Sequence, residues 1–293
     1  MIMKLLIIGS GGQLGHDFVG QAAAAGHSVT PVDYPGIDIR DRSSVNLCVD
    51  GAGPDVVINC AGFTAVDDCE SEVDKAFLLN AEACGFLAAA AKKISALLVH
   101  FSTDYVFDGT GSTPYTEDSP VNPLSIYGKS KLCGDEIILN TYDNSMIFRT
   151  AWLYGSHGNN FVKAIRQTAA AGAREGKPLR VVDDQVGTPT WSVSLCRQAL
   201  TMLDRKERGV FHSTGEGFCS WFDFAKEIAA SSGIDIDIVP CTTEEFPRPA
   251  RRPRYSVLEN ARLKSIGANI MPHWRDGFLE FLSAEKLSAK TVD

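Results

Sequence analysis

A chain of 293 residues, 44% hydrophobic and 22% charged, can bury one large domain or a large domain with a smaller companion. Its formal net charge of -8 argues against a protein built to grip nucleic-acid phosphates. The eight cysteines (Cys48, Cys60, Cys69, Cys84, Cys133, Cys196, Cys219 and Cys241) form no C-x-x-C pair, which reads as reduced buried thiols and a cytoplasmic setting rather than a disulfide framework.

The chain opens with "MIMKLLIIG", too short an apolar run for a secretion signal, and "KLLIIG" reads as a strand buried on both faces. "QLGHDFVGQAAAAG" follows with helical spacing and a closing glycine, then "HSVTPVD" as a second strand and "RSSVNLCVDGAG" as a short helix. "DVVINCAG" is a third strand. "ESEVDKAFLLNAEACGFLAAAAKK" reads as one long amphipathic helix, acidic at its start and basic at its end as the helix dipole prefers. "SALLVHFSTDYVF" is a fourth strand, "SIYGKSKLCGDEIILN" a helix and "SMIFRTAWLYG" a fifth strand.

Strands alternating with helices need parallel crossovers, which predicts an α/β fold: a Rossmann-like doubly wound parallel sheet. Past about residue 155 the alternation weakens into the strand-like pieces "LRVVDDQVGTPT", "GVFHSTGEG" and "IDIVPC". We expect residues 1–155 to bind the cofactor, with room for later segments to return to that domain. Residues 156–293 should form mostly a smaller, discontinuous substrate lobe. No stretch reaches membrane-spanning length.

Four glycines (Gly9, Gly11, Gly12, Gly15) fall between a strand and a helix, where unpaired helix N–H groups and missing Cβ atoms suit a pyrophosphate. Asp33 at the end of the second strand is placed to take ribose hydroxyls. "VDYPG" has no arginine directly beside it, so these residues alone lean towards NADH. Tyr127 and Lys131 lie four apart on a helix, so they share a face, and an ammonium beside a phenol eases proton donation near neutral pH. Ser102 and Thr103 lie where a fourth parallel strand delivers side chains to the crevice. Asp104 is a carboxylate at a strand tip, and Trp152 a flat platform for a sugar or base.

The spacing G-x-x-G-x-x-G, with "NCAGFTAVDDCE", "STDYVFDG" and Y-x-x-x-K, resembles the extended short-chain dehydrogenase/reductase superfamily. More closely it is similar to the dTDP-4-dehydrorhamnose reductase family, through "FRTAWLYG", "GNNF", "DDQVGTPT" and "RPARRPRYSVL" as well. That resemblance implies NADPH or NADH as cofactor and hydride transfer to the C4 keto carbon of a dTDP-linked 6-deoxy-hexulose, giving dTDP-L-rhamnose. It implies Tyr127 as proton donor, Lys131 as its tuner and ribose anchor, and Thr103 as carbonyl partner. Gly9, Gly12, Gln13, Leu14 and Gly15 then match the pyrophosphate loop, and Asp33, Asp38 and Ile39 the adenosine end. Gly62, Phe63, Thr64 and Phe101 match further cofactor contacts, and Thr103, Asp104 and Trp152 the substrate pocket.

Some relatives are dimers bridged by magnesium through acidic side chains after "G-x-P-T". Here "WSVSLCRQAL" offers no carboxylate before Asp204, so no such metal is expected, and whether the chain forms a homodimer stays open. No histidine pair has the H-x-x-x-H spacing. Asp104-Tyr105 replaces the Asp-Glu pair of the superfamily's dehydratases, and "STDYVF" lacks an epimerase cysteine, which leaves simple reduction. "RPARRPR" concentrates arginines in an acidic chain, and we expect Arg251 and Arg252 to meet a substrate pyrophosphate. A second resemblance, to the regulatory subunit of methionine adenosyltransferase, implies a non-catalytic nucleotide binder instead. Another alternative is a reductase of a different nucleotide-linked 4-keto sugar.

Overall fold

The structure is a computed structural model that describes residues 1–290, the last three of these in backbone only. Strand β1 (Lys4–Ile8) leads into α1 (Gln13–Ala24), β2 (Ser28–Val32), α2 (Arg42–Ala52) and β3 (Val56–Asn59). Next come α3 (Val66–Cys69), α4 (Val73–Phe77), a π-helical turn at Leu78–Glu82, α5 (Ala83–Lys93), β4 (Leu97–Thr103), α6 (Ile126–Thr141) and β5 (Ser145–Thr150). The later part holds β6 (Leu153–Tyr154), α7 (Phe161–Glu175), β7 (Leu179–Val182), β8 (Val186–Gly187), β9 (Thr190–Trp191) and α8 (Ser192–Met202). It ends with β10 (Gly209–His212), β11 (Cys219–Ser220), α9 (Trp221–Ser231), β12 (Ile238–Cys241), α10 (Ala261–Ser265) and α11 (Trp274–Lys290).

Among the described residues six strands form one parallel sheet in the order β10-β5-β4-β3-β1-β2. The period-2 alternation of strand side chains divides its core between two faces. Leu5, Ile7, Val99, Phe101 and Phe148 pack with Phe18 of α1 and Leu195 of α8. Leu6, Ile8, Val57, Leu98 and Ile147 pack instead with Val45 of α2, Leu87 of α5 and Ile138 of α6. Every residue of β4 is buried, as a central strand covered on both sides requires. The strand order reverses between β1 and β3, and that switch point opens a crevice at the carboxyl ends of the strands.

β10 and α8 come from the second half of the chain and join this body. α10 also packs on this body through Leu263, while α7, α9 and α11 gather around a separate aromatic core of Tyr154, Trp191, Phe224, Phe278 and Phe281. β12 pairs with β7 in parallel, and β11 with β8 antiparallel.

The helix expected over 70–93 starts later, at Val73, with the short α3 ahead of it, and a π turn between α4 and α5 interrupts it. The reason is Asn80, 1% exposed within that turn. Its Oδ1 accepts from Phe63 N at 2.8 Å, and its Nδ2 donates to Phe63 O and to Ser130 Oγ, both at 3.0 Å. A buried amide must find partners, and the bulge carries it to them. The fifth strand is shorter than expected, stopping at Thr150 before Trp152, whose φ of 46° breaks the extended run.

Candidate active site

Helix α1 begins at the glycine cluster, and no side chain caps its N-terminus at Gly12. The backbone there is held close to β1 in a way only glycine permits. Gly9 has φ of 78°, and a Cβ on Gly15 would meet Gly9 O at 2.1 Å. Open N–H groups, a helix dipole and absent Cβ atoms together fit a pyrophosphate. Gln13, Leu14 and the loop from Gly155 to Asn160 adjoin this end: Asn160 Nδ2 donates to Gln13 Oε1 and to Gly155 O, each at 2.8 Å.

Beside the loop lies a cleft of 490 Å³ lined by Gly9, Asp33, Tyr34, Ile37, Asp38, Ile39, Arg40 and Gly62. Asp33, Asp38, Ile39 and Gly62 are thereby brought together as the sequence pattern predicts. Asp33 Oδ2 accepts from Gly11 N at 2.8 Å, so the carboxylate also braces the glycine loop. Arg40 was not singled out by the sequence, because it is separated from Asp33 by a proline turn. In the fold it shares the cleft and forks onto Asp38 with contacts of 2.8 Å and 2.7 Å. Asp38 is held below the usual carboxylate range by those bonds. A cation therefore lines the cleft beside Asp33, although "VDYPG" itself holds no arginine. Phe63 sits half-buried beneath the Lys75 ammonium (4.3 Å to the ring centre), while Thr64 is exposed next to it.

The expected catalytic residues come together at the carboxyl end of β4 and the start of α6. Thr103, Tyr127 and Lys131 are 5%, 9% and 5% exposed, a water-poor setting. The Thr103 side chain is close enough to the Tyr127 phenol to ease its ionisation, and Thr103 Oγ1 donates to Asp104 Oδ1 at 3.0 Å. Burial pushes the Tyr127 phenol well above its ordinary value, opposed by Thr103 and reinforced by the Asp104 charge. Burial likewise raises the Asp104 carboxyl to about 6, with Ser256 and Thr103 offsetting part of the rise. Lys131 Nζ does not hold the phenol in this state. It donates to Phe101 O at 2.6 Å and lies 3.1 Å from His100 Nε2. The Phe101 ring stays in the core against Phe18 and Phe148, so its contribution to the site is the carbonyl. Ser102 faces away from Thr103, donating to Asp135 Oδ2 at 2.9 Å, where the buried Arg149 Nε also reaches (3.2 Å).

Next to this centre opens a cavity of 850 Å³. Tyr105, Phe161 and Trp221 line its apolar part, and Gln185 and the arginines of "RPARRPR" its polar part. Arg251 is exposed along the wall. Arg252 is half-buried and already forked onto Asp67, both contacts being 3.0 Å. Trp152 stands behind the wall, stacked on Trp221 with ring centres 3.4 Å apart and planes 6° from parallel. The flat aromatic faces on the cavity wall are those of Trp221 and Phe161, which no local pattern distinguishes from the other aromatic residues.

Distant histidines also meet. His16 and His157 stack with ring centres 3.4 Å apart beside Asp17, and ligand atoms of the three lie within 4.8 Å of one another. Two imidazoles stacked at 27° present faces to each other rather than convergent lone pairs, so this is not an assembled metal site. The signals that sequence reasoning missed were polar residues in apolar runs: Asn59 in "VVINC", Asn80 in "FLLNAEA" and His100 in "LLVHF".

The model of the RmlD substrate binding domain family matches residues 3–287. A solved structure of a dTDP-4-dehydrorhamnose reductase, an RfbD ortholog from Clostridium acetobutylicum, is 46% identical with a TM-score of 0.93, covering 97% of this chain and 100% of that one. The Bacillus anthracis dTDP-4-dehydrorhamnose reductase in complex with NADP is 34% identical with a TM-score of 0.92, at 97% and 100% coverage. Among curated relatives, the spore coat polysaccharide biosynthesis protein SpsK of Bacillus subtilis strain 168 is 42% identical over 287 residues, 98% of this chain and 99% of that protein.

Proposed function

The chain belongs to the RmlD substrate binding domain family, and from that premise we propose that it is an oxidoreductase reducing the C4 keto group of dTDP-4-dehydrorhamnose to dTDP-L-rhamnose with NADPH or NADH. The observation that carries this reading is the buried Thr103–Tyr127 pair at the carboxyl end of β4, linked to the 850 Å³ cavity by Tyr105, which lines that cavity and meets the Tyr127 ring edge-on at 5.5 Å.

The roles follow from chemistry. Gly9, Gly12, Gln13, Leu14 and Gly15 receive the cofactor pyrophosphate, and Asp33, Asp38 and Ile39 its adenosine end. Gly62, Phe63, Thr64 and the Phe101 carbonyl border the path towards the nicotinamide. When bound, the reduced nicotinamide supplies the hydride. Thr103 and Tyr127 bind the keto oxygen between two hydroxyls, and Tyr127 gives the proton as negative charge develops there. Burial holds that proton on the phenol until a carbonyl needs it. Lys131 completes the pair by favouring the phenolate that results. Asp104 receives sugar hydroxyls, Arg251 and Arg252 the diphosphate, and Trp152 backs Trp221 under the base. We assign residues 1–155 with β10 and α8 to the cofactor-binding part, and most of residues 156–293 to the substrate lobe. Among the described residues no helix is long and apolar enough to cross a membrane. The eight free cysteines, all of them raised in pKa by burial, suit a reducing cytoplasm.

The test is oxidation of NADPH or NADH on adding dTDP-, UDP- and GDP-linked 4-keto sugars, followed by absorbance. The dTDP-4-keto sugar should turn over, and Tyr127→Phe should lower the rate by about 10²- to 10⁴-fold with cofactor binding retained. Turnover of only a UDP- or GDP-linked substrate identifies a different sugar-nucleotide reductase. No oxidation with any substrate overturns the reading and favours the regulatory-subunit alternative.

A further inference from the structure

His100 sits in the middle of the fully buried β4 and is itself 1% exposed. Its neighbour across the sheet register is Asn59 at the end of β3. The Asn59 amide can be oriented without ambiguity. Ala61 N, which can only donate, lies 3.1 Å from Asn59 Oδ1, so the oxygen faces the backbone and Nδ2 faces the ring. Nδ2 lies 3.0 Å from His100 Nδ1, and Nδ2 can only donate. Nδ1 is therefore the acceptor, and the neutral ring carries its proton on Nε2. Burial pulls His100 well below its ordinary value, so the ring is neutral.

That Nε2–H points at Lys131 Nζ, 3.1 Å away. An ammonium there would set N–H against N–H. A neutral amine accepts the Nε2–H and gives one of its own hydrogens to Phe101 O at 2.6 Å, which satisfies all three groups. Cys84 does not relieve the ring: its thiol donates to Asn80 O at 3.3 Å, and its sulfur is 3.9 Å from Nε2. We propose that His100 is a positioning residue for Lys131, an imidazole locked by Asn59 in the Nε2–H tautomer that holds the lysine as an uncharged amine. The groups facing Lys131 are His100 and the Phe101 carbonyl from β4, Cys84 from α5, and Asp135 one turn on in α6. Burial pulls the lysine down, while Cys84 and Asp135 push it back up, and Arg149 takes up much of the Asp135 charge. The hydrogen-bond polarity of His100 decides between these opposed effects. A ribose hydroxyl accepting from Nζ in place of the ring would favour the ammonium, the added proton coming from solvent.

The meaning for turnover rests on reading Lys131 as the partner of Tyr127. The test needs no turnover, so the two readings fail separately. In cofactor-free protein with 13C-labelled lysine, the Lys131 Cε resonance is identified by its loss in Lys131→Arg and followed against pH. It should titrate well below the surface lysines. In His100→Gln the side-chain carbonyl can turn to Nζ and accept from an ammonium, which should move the midpoint up by about one pH unit, a tenfold change in proton affinity. Where that variant loses its cooperative thermal transition, 15N spectra of the wild-type histidines carry the test, with His100 expected to show a protonated Nε2 and a bare Nδ1. A Lys131 midpoint among the surface lysines, an unchanged midpoint in folded His100→Gln, or a protonated Nδ1 overturns the proposal.

Discussion

Asp104→Asn should stabilise this protein, increasingly so as pH rises from 4 to 6. Asp104 is 2% exposed, and its carboxyl is raised from 3.8 to about 6 chiefly by burial. Because the folded value lies above the unfolded one, the folded chain keeps a proton that the unfolded chain releases. The stabilisation from that proton is complete below about 3.8 and lost as pH climbs through about 6. A displacement of roughly two pH units at about 1.4 kcal/mol each sets a penalty of about 3 kcal/mol at neutral pH. Asparagine carries no charge to desolvate, and its Oδ1 can still accept from Thr103 as Asp104 does at 3.0 Å. Guanidinium unfolding of both proteins between pH 5 and pH 8 reads the difference. The variant's advantage should grow by about 1.4 kcal/mol between pH 5 and pH 7 and then level off. Two stability curves running parallel across that range would refute a buried, strained carboxylate. In the reductase assay the same variant should raise KM for the sugar nucleotide, since an amide is a weaker acceptor for hydroxyls than a carboxylate.

Three further expectations concern the cofactor end and the arginine loop. Gly15→Ala drives a Cβ to 2.1 Å from Gly9 O, a backbone atom with nowhere to move, so it should destabilise the fold by about 2 kcal/mol or more and abolish cofactor quenching of tryptophan fluorescence. Arg40→Ala removes a cation from the adenosine cleft and should weaken NADPH about 10- to 100-fold while leaving NADH unchanged; equal losses for both cofactors would show that Arg40 only props Asp38. Asp67→Asn frees the Arg252 fork and should tighten binding of dTDP about threefold to tenfold by calorimetry, whereas weaker binding would mean that Asp67 holds Arg252 in its productive position.

The family was legible in local sequence, and the outline of the candidate site was drawn from it, because each rests on short-range geometry. Gly9, Gly12 and Gly15 mark a strand-to-helix turn whose backbone demands glycine. Tyr127 and Lys131 share a helix face by spacing, and Thr103 ends a continuous apolar strand. The buried strands announce themselves by unbroken runs such as "KLLII" and "LLVHFST". What the sequence left undetermined depends on partners far along the chain. Asn80 bends a helix to satisfy a loop seventeen residues earlier. Arg40 reaches the cleft of Asp33 only through a turn, and Trp221 takes the cavity face that Trp152 was expected to offer. Arg252 reads as a free phosphate ligand until Asp67, 185 residues away, is found on its fork. The protonation of Lys131 is likewise beyond any motif, because it turns on an amide in the neighbouring strand. Periodicity and turn chemistry are local and survive in one dimension; hydrogen-bond partnership and burial are pairwise and exist only once the chain has folded.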